Sequence, residues 1–212
     1  MTRNSKIRDL VLMGIMTGMI FLMAFTPIGY IKTGTLSITL ITIPVAITAY
    51  ALGPKGGAVA GLAFGVTSAI MAFMNPSAMM VALTGVSAAK AIVLCIVPRT
   101  LDGLIVGLIS DLMKKIKVPS AVGGAVSGFA VAFLNTVFFM SSLVLLYGNT
   151  EYVQNMRESV APGKNVVLFI LAIVSINVAI EWIASTVATS GVAAGLTAAR
   201  LIEAPRKEAA AQ

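Results

Sequence analysis

"SITLITIPVAITAYALGPKGGAVAGLAFGVTSAIMAFM", residues 37–74, carries a single charge, Lys55, in a run otherwise built of apolar, hydroxyl and small residues. That lysine closes the turn-forming triplet Gly53-Pro54-Lys55, so the run divides into two apolar segments, about 37–52 and 56–74. Segments of this length and texture cross the hydrocarbon of a bilayer as helices, and the strict alternation of an outer-membrane barrel strand is missing. In the second segment Gly57, Gly61 and Gly65 recur every four residues. They share one helix face and let another helix come close.

The same texture extends along the chain. Of 212 residues, 58% are hydrophobic and 11% charged, and the mean hydropathy is +0.97, which no water-soluble domain of ordinary composition shows. Four more apolar segments, about 9–27, 98–113, 120–147 and 165–199, bring the total to six. The expectation is an all-α membrane protein: one integral membrane domain over 1–212, a bundle of six transmembrane helices. Residues 77–97, "SAMMVALTGVSAAKAIVLCIV", follow "NPS", carry Lys90 and are rich in Ala, Ser and Gly. They read as a partly helical, partly buried excursion on the outer side. The N-terminal stretch has the charge order of a signal peptide but a long apolar run and no A-x-A site, so it reads as a retained first helix. The last segment, roughly 50 Å long at about 1.5 Å per residue, must bend or emerge from the membrane.

With six spans, both termini share a side. That side receives Arg3, Lys6, Arg8, Lys55, Lys114, Lys115, Lys117, Arg200, Arg206 and Lys207; the other receives Lys32, Lys90, Arg99, Arg157 and Lys164. The excess puts both termini in the cytoplasm. The inner turns are short, whereas the outer connections "IGYIKTGTL", 75–97 and "GNTEYVQNMRESVAPGK" are long and polar, as a lid over an outward-facing pocket would be.

Several chemistries fall away. There is no histidine and Cys95 stands alone, which excludes a disulfide framework and a Cys/His metal site. The +7 net charge sits at segment ends among few aromatics, unlike a nucleic-acid surface. "APGKN" lacks the first glycine and the hydroxyl of a P-loop, and no set of residues suits an enzyme, so no catalytic residues and no metal are expected. Polar residues inside the spans remain: Arg99, Asn135, Asn177 and Glu181, with Lys90 in the excursion. Pro98 suits a helix's first turn, so Arg99 is expected at the start of the fourth span near the outer mouth, offering a charged fork to a carboxylate or pairing with Asp102. Asn177 and Glu181 share a helix face. "GIMTGMIF" sets Gly14 and Gly18 on one face of the first helix.

The order of motifs "TPIGYI", "GTLSITLITIPV", "LGPKGGAVAGLAFGVTS", "VPRTLDGLIVGLISDLMKK", "LNTVFFMSSLVLLYG" and "NVAIEWIASTVATS" resembles the substrate-specificity (S) component of energy-coupling factor (ECF) vitamin transporters, over about residues 8–200. Pro-Arg at the fourth helix, Asn-Thr in the fifth and Asn-x-x-x-Glu in the sixth look most like pantothenate carriers; carriers of folate, cobalamin or a queuosine precursor share the frame. A proton-coupled carrier using Glu181 is the reading from another class. The resemblance implies a subunit of the bacterial cytoplasmic membrane that binds a vitamin in a pocket closed by its outer loops. It implies partnership with a membrane coupling (T) component and two cytoplasmic ATPases, which use the ATP, so the chain itself carries no cofactor. Arg99 is then the carboxylate ligand, Asn135 meets an amide or hydroxyl, Tyr30 and the "TGTL" backbone form the lid, Asn177 and Lys90 are further candidates, and Gly14 and Gly18 meet the coupling subunit.

Overall fold

The computed structural model describes residues 3–27, 29–33, 36–160, 165 and 176–202, and over these the chain is helical apart from one hairpin. Helix α1 (Arg3–Ala24) is followed by strands β1 (Tyr30–Thr33) and β2 (Leu36–Thr39), paired antiparallel with Tyr30 opposite Thr39 and Thr33 opposite Leu36. Then come α2 (Thr42–Met74), the short α3 (Ala78–Val86), α4 (Ala88–Lys115), α5 (Ser120–Tyr147), the short α6 (Glu151–Val160) and α7 (Ile176–Ala198). Residues 37–39, expected at the head of the second span, belong to β2, and the helix begins at Thr42. Of the last expected segment, 166–175 lies outside the described residues.

Helix α2 is two arms. Gly53 stands at φ 70° and ψ −159°, a conformation that costs glycine little, and Pro54 follows at a position where a missing N–H is harmless. The arms fold onto each other: a Cβ on Gly57 would lie 3.0 Å from that of Ala49. Eight residues along an unbroken helix are about 12 Å apart. Ala46 and Ala49 of the first arm share a buried cluster with Ala60 and Phe64 of the second. Helix α4 clasps the turn. The Asp111 carboxylate lies over Gly53 beside the start of the second arm, and Lys114 Nζ donates to the Ala51 carbonyl at 3.3 Å, at the end of the first. Each charge faces the helix terminus of opposite partial charge.

The glycine stripe of the second arm packs on α4. A Cβ on Gly57 would run into the Gly103 carbonyl, one on Gly61 into the Arg99 carbonyl, and one on Gly65 would stand 2.8 Å from Ile96 Cα. Gly124 and Gly128 do the same for α5 against α7, meeting Thr189 and Ser185.

Residues 77–97 divide in two. Ser77 accepts from the Met80 N–H at 3.3 Å and caps α3; Ser87 accepts from the Lys90 N–H at 3.4 Å and caps α4. Residues 88–97 are therefore the first part of the fourth helix, which starts at Ala88 and not at 98. Pro98 lies inside it, a correction to the expected helix start.

Leu12, Tyr50, Ala51, Ala193, Leu196 and Ile202 meet at one end of the bundle, so α1, the end of α7 and the segment after it gather beside the Gly53 turn. At the other end α3 and α6 pack on the start of α4 and the end of α5 through Met80, Leu83, Ala91, Leu143, Tyr147 and Val153. Tyr147 Oη ties that end by donating to the Ser87 carbonyl at 2.8 Å. Among the described residues α2, α4, α5 and residues 6–24 of α1 are long and apolar enough to cross a membrane. Their outward faces carry exposed Leu10, Ile15, Leu22, Leu108, Leu112 and Leu145, as contact with lipid requires.

Candidate functional site

Pro98 has no N–H, so it deprives the Leu94 carbonyl of its helical donor. Arg99 fills the gap with its own side chain: Nη1 donates to the Leu94 carbonyl at 3.4 Å and to the Cys95 carbonyl at 3.0 Å. The guanidinium lies between two rings, 4.8 Å from the centroid of Phe64 on α2 and 5.2 Å from that of Phe139 on α5. Stacking of this kind suits its planar cation. Arg99 is 9% exposed and stands about 16 Å along α4 at 1.5 Å per residue, inside the helix and not at its start as expected.

Around it stand polar groups with no protein partner. Arg99 Nε has none, and Asp102, fully buried one turn further on, has none at either oxygen, so the expected Arg99–Asp102 pair is not formed. From α5 comes Asn135 Oδ1; from α7 come Glu181 Oε1, Trp182 Nε1, Ser185 Oγ and Thr189 Oγ1. These eight atoms are the buried orphan side-chain polar atoms among the described residues, and all lie on α4, α5 and α7. Each costs about 1–3 kcal/mol while unpaired, and natural folds keep few of them without a reason. Those of Arg99, Asp102, Asn135 and Glu181 form a candidate binding layer, whereas Ser185 and Thr189 lie where α7 packs on Gly124 and Gly128.

The layer is coherent. Asn135 is one turn before Phe139, on the α5 face that meets Arg99. Glu181 and Asp102 interact electrostatically with each other, and both with Arg99. Trp182 stands edge-on to Phe129 and Phe133, with centroids 5.3 and 5.6 Å away, on the outward seam of α5 and α7 where both phenylalanines are exposed. Glu181 also reaches the hairpin: Oε2 accepts from the Thr39 N–H at 3.4 Å.

Of the residues singled out in the sequence, Arg99, Asn135 and Glu181 come together here. Lys90 does not join them. It is exposed at the head of α4, its Nζ donates to the Leu146 carbonyl at 3.2 Å and it sits 5.9 Å from the Tyr147 ring, so it caps the end of α5. Tyr30 is on β1 and Asn177 on the first turn of α7, but both side chains lie outside the described residues. Gly14 and Gly18 are exposed on α1, with open space where a Cβ would stand. Sequence reasoning did not assign Asp102, Trp182, Ser185 or Thr189 to a site. A signal existed for two of them, since Glu181, Ser185 and Thr189 recur every four residues along one face of α7. Among the described residues no group of three or more His, Cys, Asp or Glu side chains is arranged to hold a metal ion.

A guanidinium for an anion, carboxylate and amide oxygens for donors, and aromatic walls are the parts of a small-molecule binding site. A comparison with curated proteins gives no match. The family model described as "ECF transporter, substrate-specific component" matches residues 8–193. Among solved structures the chain is similar to the S-component for biotin from an ECF-type ABC transporter, at 17% identity and a TM-score of 0.58, over 93% of this chain and 95% of that one. At that identity the likeness is one of fold. With the family pattern running through nearly every element described above, the chain belongs to the substrate-specific components of ECF transporters.

Proposed function

We propose that the chain captures a small vitamin for import across the bacterial cytoplasmic membrane, and that the vitamin is pantothenate. One observation carries the reading: the Arg99 guanidinium is held between two rings with Nε unpartnered, on the α5 face that also bears Asn135. Pantothenate is a carboxylate, an amide and two hydroxyls on a branched aliphatic body. Its carboxylate pairs with Arg99, Asn135 takes an amide or hydroxyl, and the aliphatic part lies against Phe64 and Phe139. The β1–β2 hairpin, with Tyr30, closes over it.

In this reading the chain crosses the membrane six times, through α1, the two arms of α2, α4, α5 and α7. The meeting of Leu12 of α1 and Ile202 after α7 with Tyr50 and Ala51, beside the Lys114 contact, supports placing that end in the cytoplasm. Transport is driven by partners, a membrane coupling subunit and two cytoplasmic ATPases that hydrolyse the ATP. The open Gly14–Gly18 face of α1 suits close approach by a coupling-subunit helix.

Mass spectrometry of the small molecules released on denaturing the purified chain tests the cargo, and pantothenate is the expected product. Folate, a corrinoid or a queuosine precursor would replace the cargo and keep the family. Uptake into liposomes by the chain alone, driven by a pH gradient, would replace the division of labour with a self-sufficient carrier.

A further inference from the structure

Glu181 is 7% exposed and faces two ways: Oε2 accepts the Thr39 N–H, while Oε1 is buried without a partner. The hairpin explains the first contact. Leu40 N–H donates to the Gly29 carbonyl at 3.1 Å, and antiparallel pairs alternate between bonded and non-bonded, so the pair Tyr30–Thr39 is a non-bonded one. The Thr39 N–H therefore points away from β1 and needs an outside acceptor. Helix α7 supplies it, across 142 residues of chain.

The second oxygen belongs to a layer short of donors. Of the five orphan atoms on Arg99, Asp102, Asn135 and Glu181, four are carboxyl or amide oxygens, and only Arg99 Nε is a pure donor. An anionic group alone would satisfy Arg99 and leave the acceptors bare.

We infer that Glu181 is a specificity-determining residue that joins cargo to lid, taking a hydroxyl or N–H of the cargo on Oε1 while Oε2 holds strand β2. The inference rests on the cargo-binding role proposed above. It defines the cargo class as a small organic acid whose far end carries hydrogen-bond donors. A site built around unpaired buried acceptors rejects an analogue that lacks the donor, because binding it leaves those acceptors desolvated and bare.

The variants are Glu181→Gln and Glu181→Ala in the full chain. An amide has one acceptor oxygen where a carboxylate has two, so a Gln whose oxygen stays on the Thr39 N–H turns its NH2, a donor, toward the cargo's donor. Hydrogen exchange at Thr39 without cargo is expected to speed up about tenfold in Glu181→Ala and to stay near wild type in Glu181→Gln. Pantothenate is expected to bind the wild type at least about 100-fold more tightly than an analogue with one hydroxyl replaced by hydrogen, and Glu181→Gln is expected to lose most of that preference. Unchanged exchange at Thr39 in Glu181→Ala would remove the lid contact. Undiminished discrimination in a folded Glu181→Gln chain would remove the specificity role. A wild type that binds no pantothenate would overturn the cargo proposed above, and the Thr39 exchange would still decide the lid half.

Discussion

Arg99 is held by two carbonyls of its own helix and by rings from two others. A lysine there has no plane to lie between Phe64 and Phe139, and it presents a point charge in place of a fork. Arg99→Lys is expected to weaken pantothenate binding about ten- to a hundredfold, matching the roughly 1.5–3 kcal/mol of a charged hydrogen bond. Trp182, the single tryptophan, is the fluorescent reporter for that titration. Unchanged affinity would take Arg99 out of the site. Pro98→Ala restores an N–H that competes for the Leu94 carbonyl. A higher thermal midpoint, from a better helix, together with binding weakened several-fold is the expected pattern. Stronger helix and undisturbed binding together would show that the freed carbonyl does not orient Arg99. Arg99 and Asn135 were legible in the sequence because a polar residue in an apolar span needs a reason to be there. The Glu181 contact to Thr39 was not, because only the fold brings residues so distant in sequence together.

The helices meet through glycine. Gly57 and Gly103 face each other across α2 and α4 so closely that a Cβ on either would strike the other's carbonyl. Gly103→Ala is expected to destabilise the chain by about 1–3 kcal/mol despite the better helix propensity of alanine, read as a lower unfolding midpoint in detergent. Gly14→Ala, with open space at the Cβ, is the control and should hold or raise that midpoint. The four-residue glycine period made this seam readable, because spacing alone places those residues on one face. Two elements were not readable in the same way. A proline preceded by an apolar run looks like a helix start, yet Ser87 caps the helix earlier and Arg99 covers the carbonyl that Pro98 leaves bare. The hairpin strands are four residues each, too short for alternation to stand out beside long apolar runs.

At the scale of the molecule, the exposed Gly14–Gly18 face and the buried layer lie on different elements, α1 on one side and α4, α5 and α7 on the other. Gly14→Leu combined with Gly18→Leu is therefore expected to leave pantothenate affinity within about twofold and to abolish uptake in vesicles that contain the coupling subunit and ATPases. Loss of affinity in the double variant would mean that the face also serves the pocket. The sequence patterns reached the helical architecture and the contrast of short and long connections at its two ends, but not the contacts that clamp one end, since those join distant segments. The end holding the Gly53 turn is clamped by Asp111 and Lys114 and sealed where the Gly57 and Gly103 backbones touch. The hairpin, by contrast, is tied to α7 through the Glu181 carboxylate's bond to the Thr39 N–H. Such a molecule is a cup with a solid floor and a latched rim. For the cargo proposed above, the Gly53 end offers no way out, so release has to pass the hairpin and break the Glu181–Thr39 bond.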